Sequence, residues 1–383
     1  MTATLDLTRA LIERPSLTPE DAGCQQLLVT RLEPLGFHAR WLPFGPVSNL
    51  LLTHGDAAPS LWFLGHTDVV PPGPEDSWSS PPFAPTVNAE GELVGRGASD
   101  MKGAVAAMVV AMERFVQAHP QHRGQLGLLL TSDEEGVALD GIRKVAPQLA
   151  SEQALPDSCL VGEPSSGARR GDTVRIGRRG SIVARLTVHG VQGHTAFPHT
   201  IDNPVHRLAP LLATLAAHEW DKGVDDADGS FPPTSCQVAN LNAGTGASNV
   251  TPETATLTLS FRYNTNWNAQ SLRAALEALI ASHDLGRHTL DWHVSGEPFR
   301  SPAGPLRAAL LGAVHEVLGE APEQNTAGGT SDGRFLAPLG VEVVELGLRN
   351  ATIHQIDERV DLNDLEQLTN VYEALIRRFF DPA

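Results

Sequence analysis

At 383 residues the chain is too long for one comfortable hydrophobic core and suits two domains of ordinary size. Its 45 acidic against 28 basic residues give a net charge of −17, and no basic run exceeds Gly177-Arg178-Arg179-Gly180, which argues against a nucleic-acid partner. Cys24, Cys159 and Cys236 lie far apart with no C-x-x-C pairing, and Met1 to Ser16 lacks a signal-peptide core; disulfide and thiolate-metal frameworks are excluded and a reducing, cytoplasmic setting is expected.

In chain order, the first 176 residues alternate helical patterns with short apolar runs at Leu61 to Leu64, Leu126 to Leu130 and Cys159 to Val161. Such runs predict buried strands of a mainly parallel sheet with helices on both faces. The clearest helix follows Asp100 and ends near His119-Pro120. From Ser181 the texture becomes clean alternation, with Ile182, Ala184, Leu186 and Val188 on one face. A helix from Pro204 to Trp220, strands near Thr234 to Asn242 and Ala255 to Tyr263, a helix from Ser271 to His283 and a strand from Thr289 to Val294 complete a βαββαβ order, that of a ferredoxin-like sandwich. Beyond Pro298 a helix (Pro305 to Leu318), a strand (Val341 to Leu346) and a last helix (Leu362 to Phe380) return the chain to its first domain. The expected division is therefore 1–179 with 296–383, and an inserted domain at 180–295.

In an open parallel sheet, ligands bind beyond the carboxyl ends of the strands. Each apolar run here ends in a carboxylate or an imidazole: Gly65-His66-Thr67-Asp68, Ser132-Asp133-Glu134-Glu135, Gly162-Glu163-Pro164, and, after Val341 to Leu346, the stretch from Asn350 to His354. Singly, each has an ordinary structural reading: a core histidine, a helix cap for Asp100, helix-start acids for Glu134 and Glu135, a turn residue for Glu163. Together they place like charges on one rim, where carboxylates repel unless a dication neutralises them. Two imidazoles and three carboxylates without sulfur suit zinc, and also cobalt or manganese. Five ligands exceed one tetrahedral site, so His66, Asp100, Glu135, Glu163 and His354 divide between two metals, with Asp100, in the Gly97-Ala98-Ser99-Asp100 loop, as the bridge.

Local spacing assigns two further roles. His66 and Asp68 are two apart in extended chain and point the same way, so Asp68 is placed to hold the second imidazole nitrogen. Glu134 and Glu135 are adjacent, so in an extended segment only one faces a given metal; Glu135 is read as the ligand and Glu134 as a free general base. The H-E-x-x-H pattern fails at His218 and His315, and no G-x-S-x-G elbow is present.

At these residues the sequence resembles the two-zinc aminoacylase and carboxypeptidase superfamily, through G-H-T-D-V-V from Gly65, G-R-G-A-S-D-M-K-G from Gly95, S-D-E-E-G from Ser132 and G-E-P-S from Gly162. Within it, G-R-R-G-S from Gly177, G-G-T-S-D-G-R-F from Gly328 and N-A-T-I-H from Asn350 are similar to the desuccinylase branch. The resemblance implies an α/β fold, a zinc-exopeptidase-like catalytic domain whose inserted ferredoxin-like domain serves as lid and dimer interface. It implies two zinc ions per subunit of a homodimer, one on His66, Asp100 and Glu163 and the other on Asp100, Glu135 and His354, with a cis peptide after Asp100. It implies that His194 reaches the partner subunit's active site to help hold the oxyanion, and that Arg178, Ser181, Asn249, Arg262, Gly329, Thr330 and Asn350 contact substrate. The implied reaction is hydrolysis of the small molecule N-succinyl-LL-2,6-diaminopimelate, with acetylornithine deacetylase or dipeptidase chemistry as the nearest rival and a non-catalytic metal- or peptide-binding protein as the rival of another class. Ser248, Phe197 and Leu348 depart from the family pattern, which has asparagine, tyrosine and proline there.

Overall fold

A computed structural model describes residues 2–226 and 229–381 of the chain. It separates into two compact units: Met1–Gly177 with Arg300–Asn325 and Ser331–Ala383, and Arg178–Phe299 with Thr326–Thr330.

The first unit is built on an eight-stranded sheet whose strands lie in the order His38–Trp41, Asn49–His54, Gln125–Thr131, Ser60–His66, Ser158–Val161, Glu342–Glu345, Thr173–Arg175 and Glu323–Asn325. Its four middle strands, from Gln125–Thr131 to Glu342–Glu345, run parallel, in register from Leu61 against both Leu126 and Ser158. These strands read as unbroken apolar runs because both of their faces are buried. On one face Leu61, Phe63, Leu128, Leu160 and Val344 share a core with the helices Ala3–Ile12, Lys102–Ala118, Pro305–Leu318 and Leu362–Phe380. On the other, Trp62, Leu64, Leu129, Val161 and Val343 are equally buried. There the short helix Gly333–Leu336 lies so close that a Cβ on Gly333 would stand 2.9 Å from Val343 and 3.2 Å from Val161.

Helix Lys102–Ala118 is buried along almost its whole length, which explains its run of alanine, valine and methionine. Its first residue, Lys102, is the one charged side chain among those buried residues. Lys102 is fully buried, and its ammonium donates to the carbonyls of Leu11 and Arg14 at 2.9 and 2.8 Å. A buried cation with only carbonyl partners fixes the helix start against the amino-terminal segment.

The second unit is a four-stranded antiparallel sheet in the order Ser235–Ala243, Thr254–Tyr263, Gly180–His189, His288–Gly296, with helices Pro204–Ala217 and Ala269–Ala281. Connectivity and strand order are those of a ferredoxin-like βαββαβ sandwich. Ile182, Ala184, Leu186 and Val188 stand opposite Phe261, Leu259, Leu257 and Ala255, and all eight are buried under Leu208, Leu211, Leu272 and Leu276 of the helices. The alternate residues, Val183, Arg185, Thr187 and His189, are half-buried or exposed, so one face alone is covered. The segment Thr326–Thr330 joins this unit through the Thr326 hydroxyl on the Ser230 carbonyl and through Arg178, which donates to the carbonyls of Ala327 and Gly329.

Candidate metal centre

Strand register carries the first ligands to a common edge. His66 ends its strand opposite Thr131, and Glu163 follows Val161, the partner of Leu64, by two residues. Helix Lys102–Ala118 packs closely on the residue between them: a Cβ on Gly162 would fall 2.2 Å from the Met108 methyl group, which would have to move aside. Glu134 and Glu135 come three and four residues after the sheet leaves Thr131. They sit in a loop rather than in extended chain: the Asp68 carboxylate accepts both of their amides, at 3.4 and 3.1 Å, and the Asp133 carboxylate accepts those of Ala138, Leu139 and Asp140. Side-chain direction is therefore set by this loop and not by the pleat.

Asp100 arrives from a different direction, on the loop ahead of helix Lys102–Ala118, and the Asp100–Met101 peptide is cis. Glu358, fully buried, organises that loop. Its carboxylate accepts the amides of Gly97, Ser99 and Asp100, each at 2.9 Å, and pairs with the Arg96 guanidinium at 2.8 Å. Gly97 adopts φ +85, a left-handed conformation that glycine takes without strain.

The result is two groups of ligand atoms that share one residue. His66, Asp100 and Glu163 form the first and Asp100, Glu135 and His354 the second, with the ligand atoms of each group within 4.8 Å of one another. His66 Nε2 lies 3.3 Å from Asp100 Oδ1 and 3.8 Å from Glu163 Oε1; His354 Nε2 lies 3.3 Å from Asp100 Oδ2 and 3.0 Å from Glu135 Oε1. The two oxygens of Asp100 thus serve different triads. Ligands at about 2.0–2.2 Å from a tetrahedral ion stand about 3.3–3.6 Å apart, so these separations suit one divalent metal per triad.

Tautomer supports the same assignment. His66 Nδ1 lies 2.9 Å from the main-chain carbonyl of Asp68, which only accepts, so Nδ1 carries the proton and Nε2 turns its lone pair toward the carboxylates. The sequence places the Asp68 side chain in that role. Its nearer oxygen is 3.6 Å from Nδ1, and the hydrogen bond belongs to the backbone instead, while the carboxylate anchors the Glu134-Glu135 loop. His354 reaches its partners from an exposed turn at φ +60, a left-handed conformation uncommon for residues other than glycine but one that histidine adopts more readily than most.

Without metal the centre is strongly coupled to protons. Burial opposes a charge on His66, but Asp100, Asp68 and Glu163 outweigh it and raise its pKa well above the ordinary value. Hydrogen bonds to Asp100 and Glu135 push His354 up to about 10. Asp100 is buried yet held below the usual carboxylate range by both imidazoles. Glu134 belongs to neither triad, and burial, then the Asp332 carboxylate, push it up to about 8.

The remaining expected site residues lie on the second unit, apart from Asn350. Asn350, whose amide donates to the Ser166 carbonyl at 3.0 Å, is half-buried on the first. Ser181 and Arg262 face each other across two strands, with Arg262 Nη1 donating to the Ser181 hydroxyl at 2.7 Å. Arg178 is buried, whereas His194, Asn249 and Gly329 are exposed and Thr330 is half-buried. Of the three departures, Leu348 is part of the first unit's core, while Ser248 and Phe197 are exposed, the latter with its ring 5.7 Å from that of His194.

Sequence reasoning missed Glu358, Asp133, Asp332 and Arg334. Glu358 follows His354 by four residues, but its burial and its amide partners are visible only in the structure.

The family model for peptidase family M20/M25/M40 matches residues 62–378. A succinyl-diaminopimelate desuccinylase of Stenotrophomonas maltophilia is 54% identical over 378 residues, covering 99% of each chain. Among solved structures, an M20 family metallo-carboxypeptidase of Sulfolobus solfataricus superposes with a TM-score of 0.81 at 17% identity, covering 99% of both chains. A dinuclear metal-binding M20 peptidase of Bacillus subtilis gives 0.72 at 14% identity, covering 99% of this chain and 98% of its own.

The proton coupling predicts how the chelated protein responds to pH. The stabilising charge on His354 is complete below its unfolded pKa and lost as pH rises through about 10; ionising buried Glu134 on the way through about 8 costs stability in the same direction. Thermal unfolding of metal-free protein is therefore expected at a lower temperature at pH 9.5 than at pH 6.5, with metal return flattening the difference. Equal midpoints for the metal-free form would contradict the site's electrostatics.

Proposed function

Because the chain belongs to the peptidase family M20/M25/M40, a family with dinuclear metal-binding members, we propose that it hydrolyses N-succinyl-LL-2,6-diaminopimelate to succinate and LL-2,6-diaminopimelate. One observation carries this reading. A chain 54% identical to a succinyl-diaminopimelate desuccinylase along its full length also brings two ligand triads together on a shared Asp100 beside an unligated Glu134.

His66, Asp100 and Glu163 would hold one zinc and Asp100, Glu135 and His354 the other, with cobalt or manganese as substitutes. Such a pair supplies Lewis acidity to the amide carbonyl and acidifies bound water. The work of the protein's own groups is proton transfer and positioning. Glu134, its side chain mostly buried, takes a proton from the attacking water and returns it to the departing amine nitrogen. Burial favours its protonated form, and dications held by the two triads would favour the carboxylate, the form in which Glu134 can act as a base near neutral pH.

His194 contributes a donor. The Ala196 amide donates to its Nδ1 at 3.0 Å, which fixes the proton on Nε2 and leaves an N–H directed outward. In the proposed homodimer this N–H meets the carbonyl oxygen of substrate on the partner subunit as charge develops there. Arg178 and Arg262 supply planar forks for substrate carboxylates, with Ser181, Asn249, Gly329, Thr330 and Asn350 as further contacts. The second unit acts in this reading as lid and dimerisation domain. Its nine-residue edge strand Ser235–Ala243 is exposed over most of its length and carries Val238 and Leu241 at 44% and 45% exposure, an open edge suited to a second copy. Among the described residues no helix is long and apolar enough to cross a membrane, and Cys24, Cys159 and Cys236 are free thiols, which supports the cytoplasmic placement proposed here.

A substrate panel tests the reading directly. The purified protein is expected to cleave the succinyl substrate at least 10²-fold better in kcat/KM than N-acetylornithine or a dipeptide, to lose activity on chelation and to regain it with zinc; the reverse preference would reassign it within the family. Glu134→Gln should lower kcat by about 10²–10⁴-fold while two metals per chain remain by elemental analysis. Near-normal turnover would remove Glu134 from its role. The chain should sediment as a dimer, and the pair Val238→Lys with Leu241→Lys should shift it toward monomer; a wild-type monomer would refute the interface.

A further inference from the structure

Arg334 and Asp332 stand in the first unit within the stretch Ser331-Asp332-Gly333-Arg334-Phe335, and nothing in the metal centre accounts for them. Both are buried, at 8% and 3% exposure. Ser331 holds the start of the stretch through its hydroxyl on the buried Glu345 carboxylate, and the Arg334 guanidinium lies 4.4 Å over the Phe335 ring. These contacts fix where the arginine sits without satisfying it. Its Nε and Nη1, and both carboxylate oxygens of Asp332, are buried with no hydrogen-bond partner.

What Arg334 does approach is charge. Nη1 lies 3.8 Å from Glu134 Oε1, and Nη2 lies 3.8 Å from Asp332 Oδ1. A buried cation costs far more than a surface one unless paired, and its two pairing carboxylates are the base and an acid that ligates nothing. The spacing of both pairs falls just outside hydrogen-bonding range. A guanidinium that gripped Glu134 in a fork would occupy the oxygens that must receive and release a proton; one held slightly back attracts the carboxylate and leaves those oxygens free.

We infer that Arg334, held from its other side by Asp332, is a positioning residue for Glu134. The inference rests on the reading of Glu134 as general base. Arg334 touches neither metal ligands nor reacting atoms; it fixes the direction in which the base presents its oxygen, and a misplacement of about 1 Å in such a group can cost about 10²-fold in rate.

The test is a cycle of variants on the metal-loaded enzyme with the succinyl substrate. Arg334→Met is expected to lower kcat by about 10²-fold with KM and metal content unchanged, and Arg334→Lys, which keeps a buried cation, to recover to within about tenfold of wild type. Added to Glu134→Gln, Arg334→Met should change the residual single-turnover rate by less than about twofold, because there is no base left to position. An equal loss in both backgrounds, a loss confined to KM, or an unaltered kcat would each overturn the inference. If Arg334→Met does not fold, Arg334→Gln, which removes the charge but keeps a polar side chain, makes the same comparison in the two backgrounds. Failure of the underlying reading looks different: Glu134→Gln itself would then stay active, whereas an inactive Glu134→Gln beside a fully active Arg334→Met sinks the arginine's role alone.

Discussion

Asp100 can serve two triads only if its carboxylate stays still between them, and no strand or helix holds it there. That task falls to Glu358, whose buried carboxylate gathers the amides of Gly97, Ser99 and Asp100 and the Arg96 guanidinium around the Gly97–Asp100 loop. Burial pushes Glu358 toward protonation, and the nearby Asp100 charge adds to it, while the loop amides and Arg96 resist. The arrangement resembles an anion-binding nest turned inward, with a side chain in place of a ligand. Because Glu358 and His354 belong to the same segment, the residue that orders one ligand loop is four positions from a ligand of its own.

Around this point the sheet contributes position and the loops contribute direction. Parallel strands buried on both faces end together, so His66, Glu163 and the Glu134-Glu135 pair are delivered to one edge by register alone. Which way each side chain then turns depends on carboxylate contacts to main chain: Asp68 on the amides of Glu134 and Glu135, Asp133 on those of Ala138 to Asp140. The ferredoxin-like unit follows other rules. Its sheet buries one face under two helices and keeps its own core, so its alternating pattern is independent of the catalytic unit's long apolar runs.

Much of this was legible in residue order. Apolar runs located the central strands to within a residue or two, alternation from Ile182 located the second sheet, and the acids and imidazoles that follow strand ends pointed to His66, Glu135, Glu163 and His354 as candidate ligands. The three-residue strands Thr173–Arg175 and Glu323–Asn325 left no pattern long enough to read. Glu358 and Asp133 escaped for a different reason: their partners are backbone amides, which every sequence has, so nothing in residue identity marks the pairing. Asp68 shows the same blindness in reverse, since its side chain was credited with a bond that its own carbonyl makes. Arg334 and Asp332 stand inside the G-G-T-S-D-G-R-F motif but received no role, because burial of a polar residue in a short helix leaves no periodic trace.

The two triads also differ in depth. His66 is 1% exposed and Glu163 9%, locked behind strand ends, whereas the His354 side chain is 48% exposed on a surface turn. Solvent therefore meets the imidazole of the second triad directly and that of the first hardly at all. The centre in this sense pairs a triad seated behind the strand ends with one completed from a surface turn.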